Sequence, residues 1–158
     1  MNTGVLYCSA RRTAYCQELL RRSGFELTQE CACAGHNPIP RLGYLLQKNQ
    51  LVLVLGPERS GEPVYGKPFF QALHVPMLGE SPQGVLMLHG TECTGWLIES
   101  REQAVALLPD RPRHLRTLMP ELWLRISRKF DVPQPEPAKP VIHFEKLTER
   151  DFVRKEQK

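Results

Sequence analysis

"LVLVLGPERSGEPVYGKPFF", residues Leu51 to Phe70, decides the fold of this chain. Its opening run, Leu51 to Leu55, is apolar without a break. A strand of that composition is covered on both faces, as central strands of parallel α/β sheets are. The run stops at Gly56-Pro57, passes into a polar loop that also holds Gly61 and Gly66, and restarts as a helical "KPFFQALHV". Strand, loop and helix in that order place the loop where open α/β sheets gather their ligands, at the carboxyl end of a strand.

The same habit continues in both directions. Upstream, Gly4 to Cys8 reads as a strand, and a helix from Arg12 to Arg22 carries Leu19 and Leu20 and stops at Gly24. Phe25 to Cys31 alternates as a half-buried strand does. "IPRLGYLLQKN" is a short helix. Downstream, "GVLMLHG" and "GWLIES" are strand-like, and "REQ" turns into "AVALLP", so the segments on either side of it form a hairpin. A long helix from Arg111 to Phe130 aligns Leu115, Leu118, Leu122 and Ile126, with Met119 and Trp123 beside them. Asp110 is placed to cap it, Pro112 suits its first turn, and Pro120 should kink or split it. The alternation predicts an α/β three-layer sandwich with a mostly parallel mixed sheet. Residues 1–130 form the domain, 131–140 ("DVPQPEPAKP") a Pro-rich linker, and 141–158 a tail with a short strand (Val141 to Phe144) and a charged end.

Composition narrows the function classes. The chain has 158 residues, 41% of them hydrophobic and 24% charged, which is ordinary globular usage. A net charge of +4, spread over pairs such as Arg11–Arg12 and Arg21–Arg22, permits an anionic small-molecule ligand. It falls short of the clustered basic face of a nucleic-acid binder, so no nucleic-acid partner is expected. No signal peptide is expected from the residues at Met1 to Ser9, and no apolar run approaches the ~20 residues of a membrane span. Five cysteines, an odd number without an export signal, predict reduced thiols and a cytoplasmic protein with no membrane partner. Cys31, Cys33 and His36 lie close together, but C-x-C with one histidine lacks a second ligand pair, so no metal site is expected.

Three loops have the right place for chemistry: Ser9 to Arg12, Gly56 to Gly66, and Pro109 to Arg113. The middle one is either a backbone cradle for phosphate or a long surface loop. It is neither a Walker loop nor a G-x-G-x-x-G fingerprint. His36, His74, His89, His114 and His143 are scattered, with no G-x-S-x-G elbow beside them. Cys93 has neighbours that give no reason for a lowered pKa and reads as a buried small residue. Glu58, Glu62, Glu92 and Asp110 are the acids available at the top of the sheet.

Taken in order, the motifs resemble a family. "LVLVLGPERSGEPVYGKPFFQALHVPML" and "GVLMLHGTECTGWLIESREQAVALLPDRPRHLRTLM" are similar to two blocks of the molybdopterin-binding (MoaB/Mog-like) domains. In those blocks a glycine-rich loop and an acidic stretch are followed by "ALGVP-L", and a later strand leads to "ILLPGPPxEL". The nearest flavour is the N-terminal domain of the competence-damage-inducible CinA proteins, with coverage from about Gly4 to Phe130. The resemblance implies a three-layer α/β fold, a homo-oligomer (trimer or dimer), and molybdopterin or a nucleotide as ligand, with Mg²⁺ if enzymatic. By position, Gly56, Pro57 and Ser60 match the glycine-rich loop, and Pro109, Asp110, Pro112 and His114 match the proline-rich turn and helix start. Around them Gly61 adds a backbone donor, while Arg59 and Arg113, with Arg11, are the cations placed to neutralise phosphate. The family's acids are replaced by "EPVYG", and Glu62 is the only nearby carboxylate available to take a catalytic role.

The expected function is therefore a diverged domain that binds a phosphorylated small molecule without the full catalytic set. Two alternatives stay open: an interaction or scaffold module that kept the fold, and an active enzyme of molybdenum cofactor biosynthesis or nucleotide pyrophosphate hydrolysis.

Overall fold

The computed structural model describes residues 1–35 and 37–135. Strand β1 (Thr3–Cys8) is followed by helix α1 (Thr13–Arg22), β2 (Leu27–Cys33), α2 (Ile39–Lys48) and β3 (Leu51–Gly56). Two short pairs come next, β4 (Glu58–Arg59) with β5 (Glu62–Pro63), and β6 (Met77–Leu78) with β7 (Ser81–Pro82), on either side of α3 (Lys67–Ala72). The chain then forms β8 (Leu86–His89), β9 (Thr94–Glu99), β10 (Ala104–Pro109) and α4 (Pro112–Phe130).

One six-stranded sheet, in the order β2-β1-β3-β10-β9-β8, carries the architecture. β2, β1, β3 and β10 are parallel, whereas at one edge β9 pairs antiparallel with both β10 and β8. The α/β sandwich with a mostly parallel mixed sheet is the fold the sequence predicts, including the β9–β10 hairpin.

The apolar run is central, as its composition requires. All of β3 is buried, and its two faces feed two different cores. Leu51, Leu53 and Leu55 join the core under α1 and α4, with Leu20, Leu115, Leu118 and Leu122. Val52 and Val54 join the core under α2 and α3, with Leu42, Leu45 and Phe69. The period-two alternation of a strand sorts leucines to one layer and valines to the other.

Helix ends follow local chemistry. Gly24, at φ 105, lets the Phe25 N–H reach the Leu20 carbonyl (3.1 Å) and its own N–H reach Arg21 (3.1 Å). That is the double closure of a Schellman turn. Three details depart from expectation. β2 starts and ends two residues later than its alternation indicates. Pro120 does not split α4, which stays helical from Pro112 to Phe130. The proline is exposed and removes one backbone donor, while buried Leu118, Met119, Leu122 and Trp123 hold the helix to the sheet on both sides of it. Asp110 does not cap α4: the N-cap position is Arg111, without a side-chain cap bond. The linker beyond residue 135 and the tail at 141–158 lie outside the described residues.

Candidate functional site

The strand order fixes where a ligand would sit. From β1 the chain crosses through α1 to β2 on one side, then returns through α2 over β1 to β3 on the other. The reversal opens a crevice at the carboxyl ends of β1 and β3, the usual binding position in doubly wound sheets. A cleft of about 220 Å³ occupies it, lined by Cys8, Ser9, Cys33, Pro57, Tyr65 and Phe69 among others.

Asp110 ties the three loops above this edge together. Its carboxylate, 9% exposed, accepts the Arg11 N–H at 2.8 Å. Its own N–H donates to the Gly56 carbonyl at 2.9 Å, and its carbonyl accepts the Cys16 thiol at 3.2 Å. The loop after β1, the loop after β3 and the turn after β10 thus meet at one residue. The helix-capping role expected for Asp110 fails because the carboxylate finds its donor across the sheet edge, 99 positions away in sequence. The β1 loop is also conformationally forced, with Ser9 at φ 49 and Arg12 at φ 57. Non-glycine residues reach that region at a cost and cluster at functional sites.

The Gly56 loop does not spread into an open cradle. Arg59 to Glu62 close a two-residue hairpin with Ser60 at φ 52 and Gly61 at φ 81, a primed turn. Gly61 is pressed so tightly on Glu92 that an added Cβ would lie 2.1 Å from its carbonyl oxygen. The Gly61 carbonyl accepts the Thr94 N–H at 2.9 Å. Gly56 lies under the Tyr65 ring, whose hydroxyl sits 2.9 Å from the Val54 carbonyl and 2.6 Å from that of Leu108. Burial is the main cause that pushes the Tyr65 phenol well above its ordinary range. Tyr65 therefore stands as a neutral donor over the ends of the two central strands.

The acids are disposed unequally. Glu58 is half-buried with its side chain covered, and its carboxylate accepts His114 Nδ1 at 2.7 and 2.9 Å, with Arg111 Nε at 3.4 Å. Its side chain is 7% exposed and that of His114 is 12%, so the pair fixes the start of α4 against the β4–β5 hairpin. Glu62 and Glu92 are exposed. Of the residues singled out from sequence, Gly56, Pro57, Asp110 and His114 sit at this edge. Arg59, Ser60 and Arg113 are exposed above it, with no carboxylate partner for either arginine among the described residues. Cys93 is buried, its Sγ 3.4 Å from the His114 carbonyl and 3.2 Å from Thr117 Oγ1, and burial pushes its thiol up. Sequence reasoning missed Tyr65, which carries no motif, and the Glu58–His114 pair, whose members are 56 positions apart. Cys31 and Cys33 lie on β2, while His36 is outside the described residues.

A mixed, mostly parallel sheet with a crevice at its strand reversal and helices on both faces defines a doubly wound α/β domain. Among solved structures, CinA from Thermoplasma acidophilum, a protein of unknown function, superposes with a TM-score of 0.56 at 12% identity, covering 83% of this chain and 98% of that one. The molybdopterin biosynthesis enzyme MoaB from Thermus thermophilus gives 0.49 at 15% identity, over 85% of this chain and 99% of that one. Neither a family model nor a curated protein matches the sequence. The superposition on CinA thus shows the CinA-like architecture that the motifs resemble, and at this identity the likeness is one of fold.

Proposed function

We propose that this chain is a diverged molybdopterin-binding-like domain that holds a phosphorylated small molecule, molybdopterin or a nucleotide, at the strand-reversal cleft. The observation that carries the reading is the loop after β1. It leaves the cleft at Ser9, bears exposed Arg11 and Arg12, and enters α1 with no side-chain cap and no acid in the first turn. Free backbone donors and a positive helix end favour an anion there. A cleft of 220 Å³ is smaller than the roughly 300–1,000 Å³ of sites that enclose a ligand, so only one end of the molecule would be buried.

The catalytic alternative has less support. Glu58 and Asp110 are committed to protein partners, which leaves exposed Glu62, on the loop, and Glu92, packed against it, as the acids beside the site. A melting-temperature panel of nucleotides and a pterin tests the binding reading, because a ligand selective for the folded state raises stability by mass action. A shift that shrinks in Arg11→Ala/Arg12→Ala supports it; no shift at millimolar ligand removes it. Magnesium-dependent turnover lost in Glu62→Gln would restore the enzyme reading instead.

A homo-oligomer, dimer or trimer, is the second reading. It is favoured by exposed Met77 and Leu78 on the β6–β7 hairpin and by Leu86 and Met87 on the edge strand β8. Light scattering on the purified chain decides it, a monomer at high concentration being the contrary result. No described helix is long and apolar enough to cross a membrane, and the described cysteines are all free, which accords with a reducing compartment such as the cytoplasm.

A further inference from the structure

Cys8 ends β1 and Cys33 ends β2, and the two are direct partners in the parallel register. Their Sγ atoms lie 3.7 Å apart. Both side chains belong to the α2/α3 face, and both line the floor of the strand-reversal cleft. Neighbouring strands are spaced about 4.8 Å apart, within the ~4.4–6.8 Å between Cα atoms that a disulfide spans. The Ser9 N–H donates to the Cys33 carbonyl at 2.8 Å and keeps the two strand ends together. Immediately beyond them the chain turns away through Ser9 (φ 49) and Gly35 (φ 68), so the ends can adjust without disturbing the interior ladder.

The other thiols are placed differently. Cys16 donates to the Asp110 carbonyl, and Cys93 is held by His114 and Thr117 on the opposite core. Cys31, two residues before Cys33 on the same strand face, is paired in register with Leu6 and has no thiol opposite it.

We infer that Cys8 and Cys33 are a dithiol modification site, which closes to an intrachain disulfide when a small-molecule disulfide enters the cleft. One thiol, as its thiolate, attacks the reagent; a protein–reagent S–S bond forms and the first reagent thiolate leaves. The second protein thiol loses its proton and attacks the protein sulfur, forming the Cys8–Cys33 bond and expelling the second reagent thiolate. The protein gives up two electrons, and its two protons end on the two reduced reagent molecules. Burial, and then the neighbouring Cys33, push the Cys8 thiol up. Thiolate is the reactive form, so closure is slow at neutral pH and quickens as pH rises. In a reducing compartment the pair rests as thiols and closes under a load of disulfide. The inference is independent of whether a phosphorylated ligand binds.

The test treats the native chain with oxidised glutathione at mildly alkaline pH and follows whole-protein mass and mapped peptides. The expected product has lost two hydrogens and yields one linked peptide pair, Cys8 with Cys33. Cys33→Ser should stop at a single glutathione adduct on Cys8. Cys31→Ser, which leaves the pair intact, should close at the wild-type rate, and this variant keeps the test decisive if Cys33→Ser fails to fold. Stable double adducts without a link, a link through Cys31, or closure only after denaturation would each overturn the assignment.

Discussion

Gly56→Ala is the sharpest probe of how the candidate site is built. An alanine Cβ at this position would lie 2.5, 2.6 and 2.9 Å from three carbons of the Tyr65 ring. Carbon atoms settle about 3.5–4.0 Å apart, so strand or ring must yield by roughly 1 Å. The ring has little freedom to do so. Its hydroxyl is anchored on the Val54 and Leu108 carbonyls, and its edge meets Phe69 with centroids 5.9 Å apart at 83°. Phe69 itself is fully buried. One forced methyl in such a setting costs about 1–3 kcal/mol. For a domain of this size each kcal/mol lowers the melting temperature by about 2–4 °C, which puts the expected fall at about 2–12 °C.

Urea unfolding and thermal melts followed by circular dichroism measure that fall directly. The decisive comparison repeats the substitution in a Tyr65→Ala background. Gly56 is absent from the positive-φ positions, so once the ring is gone alanine should be neutral or stabilising by about 0.4–1 kcal/mol through the unfolded chain. The pair should therefore couple by more than 1 kcal/mol. Equal cost in both backgrounds would refute the account of Tyr65 as the group packed over Gly56.

Two further perturbations test the loop junction and its electrostatics. Asp110→Ala orphans the Arg11 N–H and should cost about 1–3 kcal/mol in urea unfolding, whereas Glu62→Ala, on an exposed carboxylate, should stay within about 0.5 kcal/mol. Equal effects at the two positions would contradict the assigned roles. Cys16 is pushed up from 9.0 to about 11, first by burial and then by Asp110. Below pH 9 the thiol is protonated in both folded and unfolded chains, and its full contribution is present. Between pH 9 and about 11 the unfolded thiol ionises first, so stability falls with rising pH by about 2–3 kcal/mol. Stability measured at pH 8.5 and 10.5 should drop less in Cys16→Val than in the wild type; an unchanged slope would count against it.

The departures at the loop after β3 share one physical cause. A glycine-bearing loop reads as a phosphate cradle because glycine lets backbone amides approach a ligand. Here the same freedom serves protein contacts: Gly61 fits a primed turn against Glu92, and Gly56 fits beneath Tyr65. Both uses demand glycine, and sequence cannot tell them apart. Asp110 shows the same ambiguity for a carboxylate. A nearby helix start and a distant backbone amide are both good partners, and the placing of β3 between β1 and β10 brings the distant one within 2.8 Å.

What the sequence determined alone is the main strands and helices of the α/β domain, though not the short β4–β5 and β6–β7 pairs. The unbroken Leu51–Leu55 run, the helical spacing from Leu115 to Ile126 and the stop at Gly24 rest on local periodicity and backbone sterics, which act over a few residues and survive in any context. What only the tertiary structure decided is the partner of each side chain at the strand ends. Tyr65 over Gly56, Glu58 with His114, Asp110 on Arg11 and Cys8 beside Cys33 join residues between 9 and 99 positions apart. Such meetings are settled by strand order and register, and no local pattern encodes them.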